Sequence, residues 1–392
     1  MEVDDLEIKG SPQKAILKML DSRLEEDFTY NSGRIIGSMC THPHPLAKKV
    51  YARFLEKNLG DAGLFPATAE LEKETIQMLG TLLSNPNASG HIVTGGTEGN
   101  VLALWTAKKV SRKTHCEVIV PASAHRSFYK AADLFGIKIV EAKLDRKHQV
   151  DVADVKKLVN SYTIAVVGIA GTTELGAIDP IAELSELATQ EELYLHVDAA
   201  FGGLVIPFLE DLGFDVPDFD FALPGVCSIT VDPHKMGFAP IPAGGILFRH
   251  ENLRKMAAWD TTYLAGGETE QATIVGTRSG ASAIAAWAVM KHLGRQGYRK
   301  IVKKCMGLTL RLAEEIPHIE GMDIVTKPTM NIVGLKSDRF DIRRVAHELR
   351  RRAWAVSLFP NHIRIVLMPH VLEEHLEKFL EDLSEVANQL RG

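Results

Sequence analysis

Between about residues 90 and 250, short β-rich apolar runs alternate with segments whose apolar residues recur at helical spacing. The runs His91–Thr94, Glu117–Val120, Lys138–Glu141, Ile164–Ala170, Leu193–Val197, Ser228–Val231 and Gly245–Phe248 predict strands. Thr97–Val110, Ser127–Phe135, Val152–Asn160 and Ile181–Gln190 predict helices between them. Ile164–Ala170 is apolar on both faces, as a central strand covered by helices on each side would be. The alternation therefore predicts an α/β fold: a large three-layer α/β/α domain around a mostly parallel sheet. After residue 295 the pattern changes to a long helix, a strand near Asn331–Leu335, a helix over Ile342–Arg352, a strand at Ile363–Met368 and a closing helix, which predicts a small C-terminal α+β domain. The first 90 residues hold helical patterns such as Glu70–Leu83 and few strand signals. The expected division is an N-terminal arm over 1–60, a large domain over 61–295 and a small domain over 296–392.

Charge narrows the range of partners. The 392-residue chain has 45 Lys plus Arg against 50 Asp plus Glu, a net charge of −5, so it has no basic excess to offset a phosphate backbone, and nucleic acid is not expected. With 24% charged and 45% hydrophobic residues, disordered, collagen-like and coiled-coil readings fall away. The longest apolar run, Ala281–Met290, is well short of the roughly 20 residues of a membrane helix. The acidic start Met1-Glu-Val-Asp-Asp-Leu-Glu7 is unlike a secretory signal, which predicts a cytoplasmic protein. Cys40, Cys116, Cys227 and Cys305 form no CxxC and are expected to be buried thiols, and His42-x-His44 lacks a third metal ligand at recognisable spacing, so no metal is expected.

Four local signals carry chemistry. Thr94-Gly-Gly-Thr-Glu-Gly-Asn100 lies between a predicted strand and helix, where glycines admit an anion, the helix N-terminus offers free N–H groups and Thr97 is placed as the N-cap hydroxyl. His196-Val-Asp-Ala-Ala-Phe-Gly-Gly203 ends an apolar strand in a carboxylate, Asp198, at the edge where wound sheets bind ligands. Asp232-Pro-His-Lys-Met-Gly237 places Lys235 after another strand, where loss of proton affinity beside a cation or in an apolar pocket would let it form a Schiff base. His125 follows the strand ending at Val120 and is placed to lie over a flat ring. Singly, each reads more readily as a turn, a cap, a surface lysine or a structural histidine. Together, a phosphate cradle, an acid for a pyridine nitrogen and an amine for an aldehyde meet the needs of pyridoxal 5′-phosphate (PLP).

These residues resemble the group II PLP-dependent amino-acid decarboxylases, with the closest likeness to the archaeal L-tyrosine/L-aspartate branch. The resemblance runs from Gly37-Ser-Met-Cys40 and Asn58-Leu-Gly-Asp-Ala-Gly-Leu-Phe65, through Gly168-Ile-Ala-Gly-Thr-Thr-Glu-Leu-Gly176 and Pro240-Ile-Pro242, to Ile363-Arg-Ile-Val-Leu-Met-Pro-His370. It implies the PLP-dependent transferase fold of type I, with the large domain holding PLP. It implies that Lys235 carries the cofactor, that Asp198 pairs with the ring nitrogen, and that His125 and Ala200 cover the two ring faces. The phosphate would sit on Gly96, Thr97 and His234, with Thr277 supplied by a neighbouring subunit, and Thr173 would lie near the cofactor's oxygen side. Arg364 would bind the substrate α-carboxylate, Tyr263 would protonate the product carbon, and His42 and Asn58 would help form the side-chain pocket. Two departures stand out. Gly99 replaces a common Ala and is expected to affect helix stability, and Asp232 replaces the Asn of the animal enzymes and is expected to bond backbone or His234.

The implied reaction is α-decarboxylation of an amino acid: tyrosine to tyramine for methanofuran, or aspartate to β-alanine for coenzyme A. The sequence leaves that choice open. The implied assembly is a homodimer with shared active sites. The alternatives are a carbon–carbon lyase of the sphingosine-phosphate lyase type and a non-catalytic PLP-fold binding protein. A cysteine desulfurase would need a reactive Cys in a late flexible loop, whereas Cys305 lies in a helical pattern.

Overall fold

A computed structural model describes residues 9–391. The acidic first eight residues, and with them the start of the expected arm, lie outside the described residues. Seven strands form the main sheet: β1 (Ser89–Val93), β2 (Glu117–Pro121), β3 (Lys138–Ala142), β4 (Thr163–Ile169), β5 (Tyr194–Asp198), β6 (Val226–Val231) and β7 (Gly244–Phe248). Their order is β1-β7-β6-β5-β4-β2-β3, and β7 alone runs antiparallel to its neighbours. All seven predicted strands are present within a few residues of the expected bounds.

Alternation along the strands shows both faces covered. Ile119 of β2 and Val166 of β4 pack with Ile181, Leu184 and Leu187 of the helix Ile181–Gln190. Their neighbours Val118, Val120, Ala165 and Val167 pack with Val101 and Leu104 of the helix Gly96–Ser111 and Phe128 and Ala131 of the helix Ser127–Phe135. Period-two alternation between two apolar layers makes three layers, as predicted.

Two short strands, β8 (Trp259–Thr261) and β9 (Thr269–Gln271), form a separate antiparallel hairpin that the sequence did not signal. Beyond it, β10 (Asp323–Ile324), β11 (Ile332–Lys336), β12 (Ser357–Leu358) and β13 (Ile363–Val366) form a four-stranded antiparallel sheet in the order β10-β11-β13-β12. The helices Ile342–Arg351 and Glu373–Arg391 cover it, with Val333, Ile363, Leu349, Trp354 and Phe379 in a core of their own. The long helix expected after 295 begins earlier, at Gly280, and breaks at Gly294, whose φ of 55° is easy only for glycine. No helix among the described residues is long and apolar enough to cross a membrane.

The N-terminal segment is tied to the small sheet, which its lack of strand pattern did not suggest. Ile36 joins the small core, Gly37 N–H donates to Ala355 O at 2.7 Å, and Val366 N–H donates to Ile36 O at 2.7 Å. Gly99 also differs from expectation. A Cβ there would lie 2.8 Å from Thr230 Oγ1, so glycine lets the helix press close against β6. Of the cysteines, Cys116 and Cys305 are buried, while Cys40 and Cys227 are partly exposed.

Candidate active site

Because β1, β2, β4, β5 and β6 are parallel, the chain leaves all five at one edge of the sheet. The connection after β1 brings Gly95, Gly96 and Thr97, that after β2 brings His125, and that after β4 brings Thr173. Those after β5 and β6 bring Ala200, and His234 with Lys235, while Asp198 is the last residue of β5. These side chains and backbone groups line one cavity of about 330 Å³, within the range of small-ligand sites. Eight of the nine expected cofactor contacts thus share a single space, and Thr277 is the ninth. It is exposed and lines no part of that cavity.

The cradle is built differently from the expectation in one respect. Gly95, in extended conformation, is the N-cap, and Thr97 sits one residue inside the helix. Gly96 and Thr97 therefore present first-turn N–H groups that have no acceptor within the helix. A Cβ on Gly96 would come within 3.0 Å of Asp232 Oδ2 and 3.1 Å of Ala200 Cβ, and one on Gly95 within 3.0 Å of His234 Cε1. Glycine is what keeps the floor open. Glu98, one turn on, accepts from Thr94 N–H at 2.8 Å and from Ile274 N–H at 3.2 Å, tying the cradle to the chain after β9.

Opposite the cradle, Lys235 Nζ lies 3.1 Å from Asp232 Oδ2, and His234 Nε2 lies 3.5 Å from the same oxygen. Burial opposes the charge on Lys235, but Asp232 and Asp198 outweigh it and hold the ammonium above its ordinary pKa. The expected loss of proton affinity is thus reversed in this state, because the neighbours are carboxylates and not cations. Burial also works against the charge on Asp232, and Lys235 and His234 pull its pKa below the usual range. Asp232 Oδ1 is buried without a hydrogen-bond partner. Asp232 therefore meets His234, as expected, and also Lys235, which the sequence reading did not pair with it.

A second cavity of about 750 Å³ shares Met39, His125, Thr173 and Lys235 with the first and adds Arg364 and Ser357. Arg364, on β13, donates to Thr173 O at 2.7 Å, to Gly37 O at 2.5 Å and to Ser357 Oγ at 3.1 Å, while its Nε is buried without a partner. Burial pushes its pKa down to about 10 against the pull of Glu174. Three other expected residues line neither cavity. His42 packs beside Tyr30 and His370, Asn58 pairs with Ser279, and Tyr263 lies 85% exposed in the connection between β8 and β9.

Sequence reasoning missed a polar cluster behind Asp198. Asn100 Nδ2 donates to Asp198 Oδ2 at 2.8 Å and to Ser127 Oγ at 2.9 Å, and Asn100 Oδ1 lies 2.9 Å from His196 Nε2. The available signal was Asn100 itself, a polar residue one turn into an otherwise apolar buried helix face.

The donor set suits PLP: first-turn N–H groups and a histidine for a phosphate, a carboxylate for a ring nitrogen and a lysine for an aldehyde. Residues 40–337 match the pyridoxal-dependent decarboxylase conserved domain. A probable L-tyrosine/L-aspartate decarboxylase of Methanothermobacter thermautotrophicus is 53% identical over 91% of this chain and 98% of its own. A probable L-aspartate decarboxylase of Pyrococcus abyssi is 51% identical over 96% of this chain and 98% of its own. Among solved structures, a sphingosine-1-phosphate lyase of Burkholderia pseudomallei superposes with a TM-score of 0.93 at 31% identity, covering 100% of this chain and 94% of that one. A glutamate decarboxylase of Lactobacillus brevis gives 0.90 at 24% identity, covering 100% and 95%.

Proposed function

The chain belongs to the pyridoxal-dependent decarboxylase family, and on that premise we propose that it removes the α-carboxyl group of L-aspartate, giving β-alanine, or of L-tyrosine, giving tyramine. The observation that carries this reading is the single cavity in which Lys235, Asp198 and His125 meet the glycine cradle. Bound there, PLP supplies an electron sink for the pair left behind when the carboxyl departs as CO2.

The chain's own residues do the rest. Lys235 holds the aldehyde, the Asp198 carboxylate keeps the ring nitrogen protonated, and His125 and Ala200 bracket the ring. Gly96, Thr97 and His234 hold the phosphate, and Thr173 flanks the oxygen side. Arg364 anchors the substrate α-carboxylate, fixing which bond stands across the ring, a positioning task. In this division the large domain, 61–295, holds the cofactor, while the arm, 1–60, and the small domain, 296–392, close over the substrate through Gly37, Met39 and Arg364.

The active unit is a cytoplasmic homodimer. Thr277 and Tyr263 are exposed and outside the cavity of their own chain, which suits contributions to a neighbour's phosphate site and to protonation of its product carbon. His42 and Asn58, which line neither cavity of their own chain, help shape the side-chain pocket across that dimer. The experiment is turnover of L-aspartate, L-tyrosine and L-glutamate in parallel by the PLP-loaded protein, with amine product quantified. β-Alanine or tyramine supports the reading, and no amine from any of the three refutes it.

The likeness to a sphingosine-1-phosphate lyase favours the carbon–carbon lyase alternative by fold alone. Decarboxylase-named relatives near 50% identity favour the first reading.

A further inference from the structure

The polar cluster behind Asp198 is a hydrogen-bond chain with a direction, and that direction reaches the cavity. Its Asp198 end is fixed by charge. An ionised carboxylate only accepts, so Asn100 must turn its amide nitrogen toward Asp198 Oδ2, and its second N–H then falls on Ser127 Oγ. Its carbonyl is left facing His196, whose Nε2 must carry the proton, with Thr230 Oγ1 a longer neighbour at 3.4 Å. His196 Nδ1 then accepts from Ser228 Oγ at 2.8 Å. Burial holds the pKa of His196 down to about 4, so it carries one proton, as this arrangement requires.

The His125 end is fixed independently, by a group that cannot reverse. The backbone N–H of Ser127 points at His125 Nδ1 at 3.2 Å and only donates. With its oxygen accepting from Asn100, the Ser127 hydroxyl supplies a second donor to the same nitrogen at 3.0 Å. Both ends demand the same orientation.

We propose that this chain, running from Asp198 through Asn100 and Ser127, locks His125 as the neutral tautomer protonated on Nε2, so that His125 presents a donor and not a base to the cavity. Asn100 and Ser127 are its positioning residues. Burial keeps His125 below its ordinary pKa; among the charges that face it, Asp198 and Asp232 oppose this, while Lys235 and Lys130 add to it. A histidine so held takes no proton at Nδ1 without losing the bond from the Ser127 backbone N–H and reversing the one with Ser127 Oγ. The proton returned to the product carbon then comes from a group other than His125. This consequence rests on the decarboxylase reading, but the tautomer itself does not.

The test is two-bond 1H–15N correlation NMR on protein with 15N-labelled histidine, with and without PLP, using His125→Gln to identify the signal. The expected result at neutral pH is a single bound proton on Nε2 in both forms, with the Nδ1 resonance moving toward that of an unbonded ring nitrogen in Ser127→Ala. A proton on Nδ1, or on both nitrogens, overturns the proposal, as does an Nδ1 resonance unchanged in Ser127→Ala. If that variant does not fold, the wild-type tautomer decides. Because the apoprotein gives the answer without turnover, a failed tautomer and a failed decarboxylase reading are told apart.

Discussion

Lys235 and Asp232 form a buried ion pair, Nζ to Oδ2 at 3.1 Å, with the Asp232 side chain only 2% exposed. The lysine that must react as a free amine is therefore stored as an ammonium by a carboxylate three residues before it. In Asp232→Asn the main charge holding that proton is gone, so Lys235 deprotonates at lower pH. The rate at which apoprotein captures PLP, followed by the visible absorbance of the bound cofactor, rises with pH in the wild type. Its midpoint should move to lower pH in the variant.

Asp198 does its work only while charged. Asp198→Asn keeps the shape and the Ala200 N–H contact at 3.1 Å but removes the charge that stabilises a protonated ring nitrogen, and it turns an amide N–H toward the Asn100 donor. The expected result is a fall in kcat of about 10²-fold or more, the scale of losing one preorganised electrostatic contact, with KM little changed. Steady-state kinetics on the PLP-loaded protein would check it.

Arg364 joins Gly37, Thr173 and Ser357, which come from three distant parts of the chain, and keeps Nε for another partner. Lysine cannot reproduce a planar fork with several donors. Arg364→Lys should raise KM more than it lowers kcat. It should also cost about 1–3 kcal/mol in a urea melt, from carbonyls left without donors.

Away from the cavity, Arg278 makes a bidentate pair with buried Glu72, at 2.5 and 3.2 Å. Burial opposes the charge on Glu72, but Arg278 and then His91 outweigh it and bring its pKa from 4.5 down to about 2. A carboxylate depressed in the folded state contributes stability that is full above about 4.5 and is lost as pH falls toward about 2. Glu72→Gln leaves Arg278 buried and unpaired and should cost about 3–5 kcal/mol at pH 7. Melts at several pH values should show that cost shrinking once the pH drops below about 4.5.

If Thr277 serves a neighbour's phosphate site, inactive Lys235→Ala and Thr277→Asp proteins should complement each other. A hybrid dimer carries both lesions in one site and none in the other, so random exchange should restore about a quarter of wild-type activity. An inactive mixture, with hybrids confirmed by mass, would place Thr277 outside the shared site.

What the sequence made legible follows from what repeats locally. Strands such as Ile164–Ala170 announce themselves because burial on both faces leaves an unbroken apolar run, and turn motifs at their carboxyl ends marked Asp198, His125 and Lys235. The chain Asn100–Asp198–His196 was silent because its members are close only in space and each is a lone polar residue within an apolar element. The seating of Ile36 in the small core was silent too, since an isolated β-bridge such as Ile35 with Ala355 leaves no periodic pattern. Thr97 was misplaced as the N-cap because hydroxyl preference at that position is a tendency, whereas Gly95 lets the chain pass close to His234, where a Cβ would be crowded at 3.0 Å.

The central claim is that the bond broken joins the α-carbon to its carboxyl group. The most direct test incubates the PLP-loaded protein with L-aspartate and L-tyrosine carrying 13C in the α-carboxyl. The account predicts labelled CO2 in one-to-one yield with an unlabelled amine, and neither product in Lys235→Ala. Label retained in the non-gaseous products, with cleavage elsewhere or none, would contradict it.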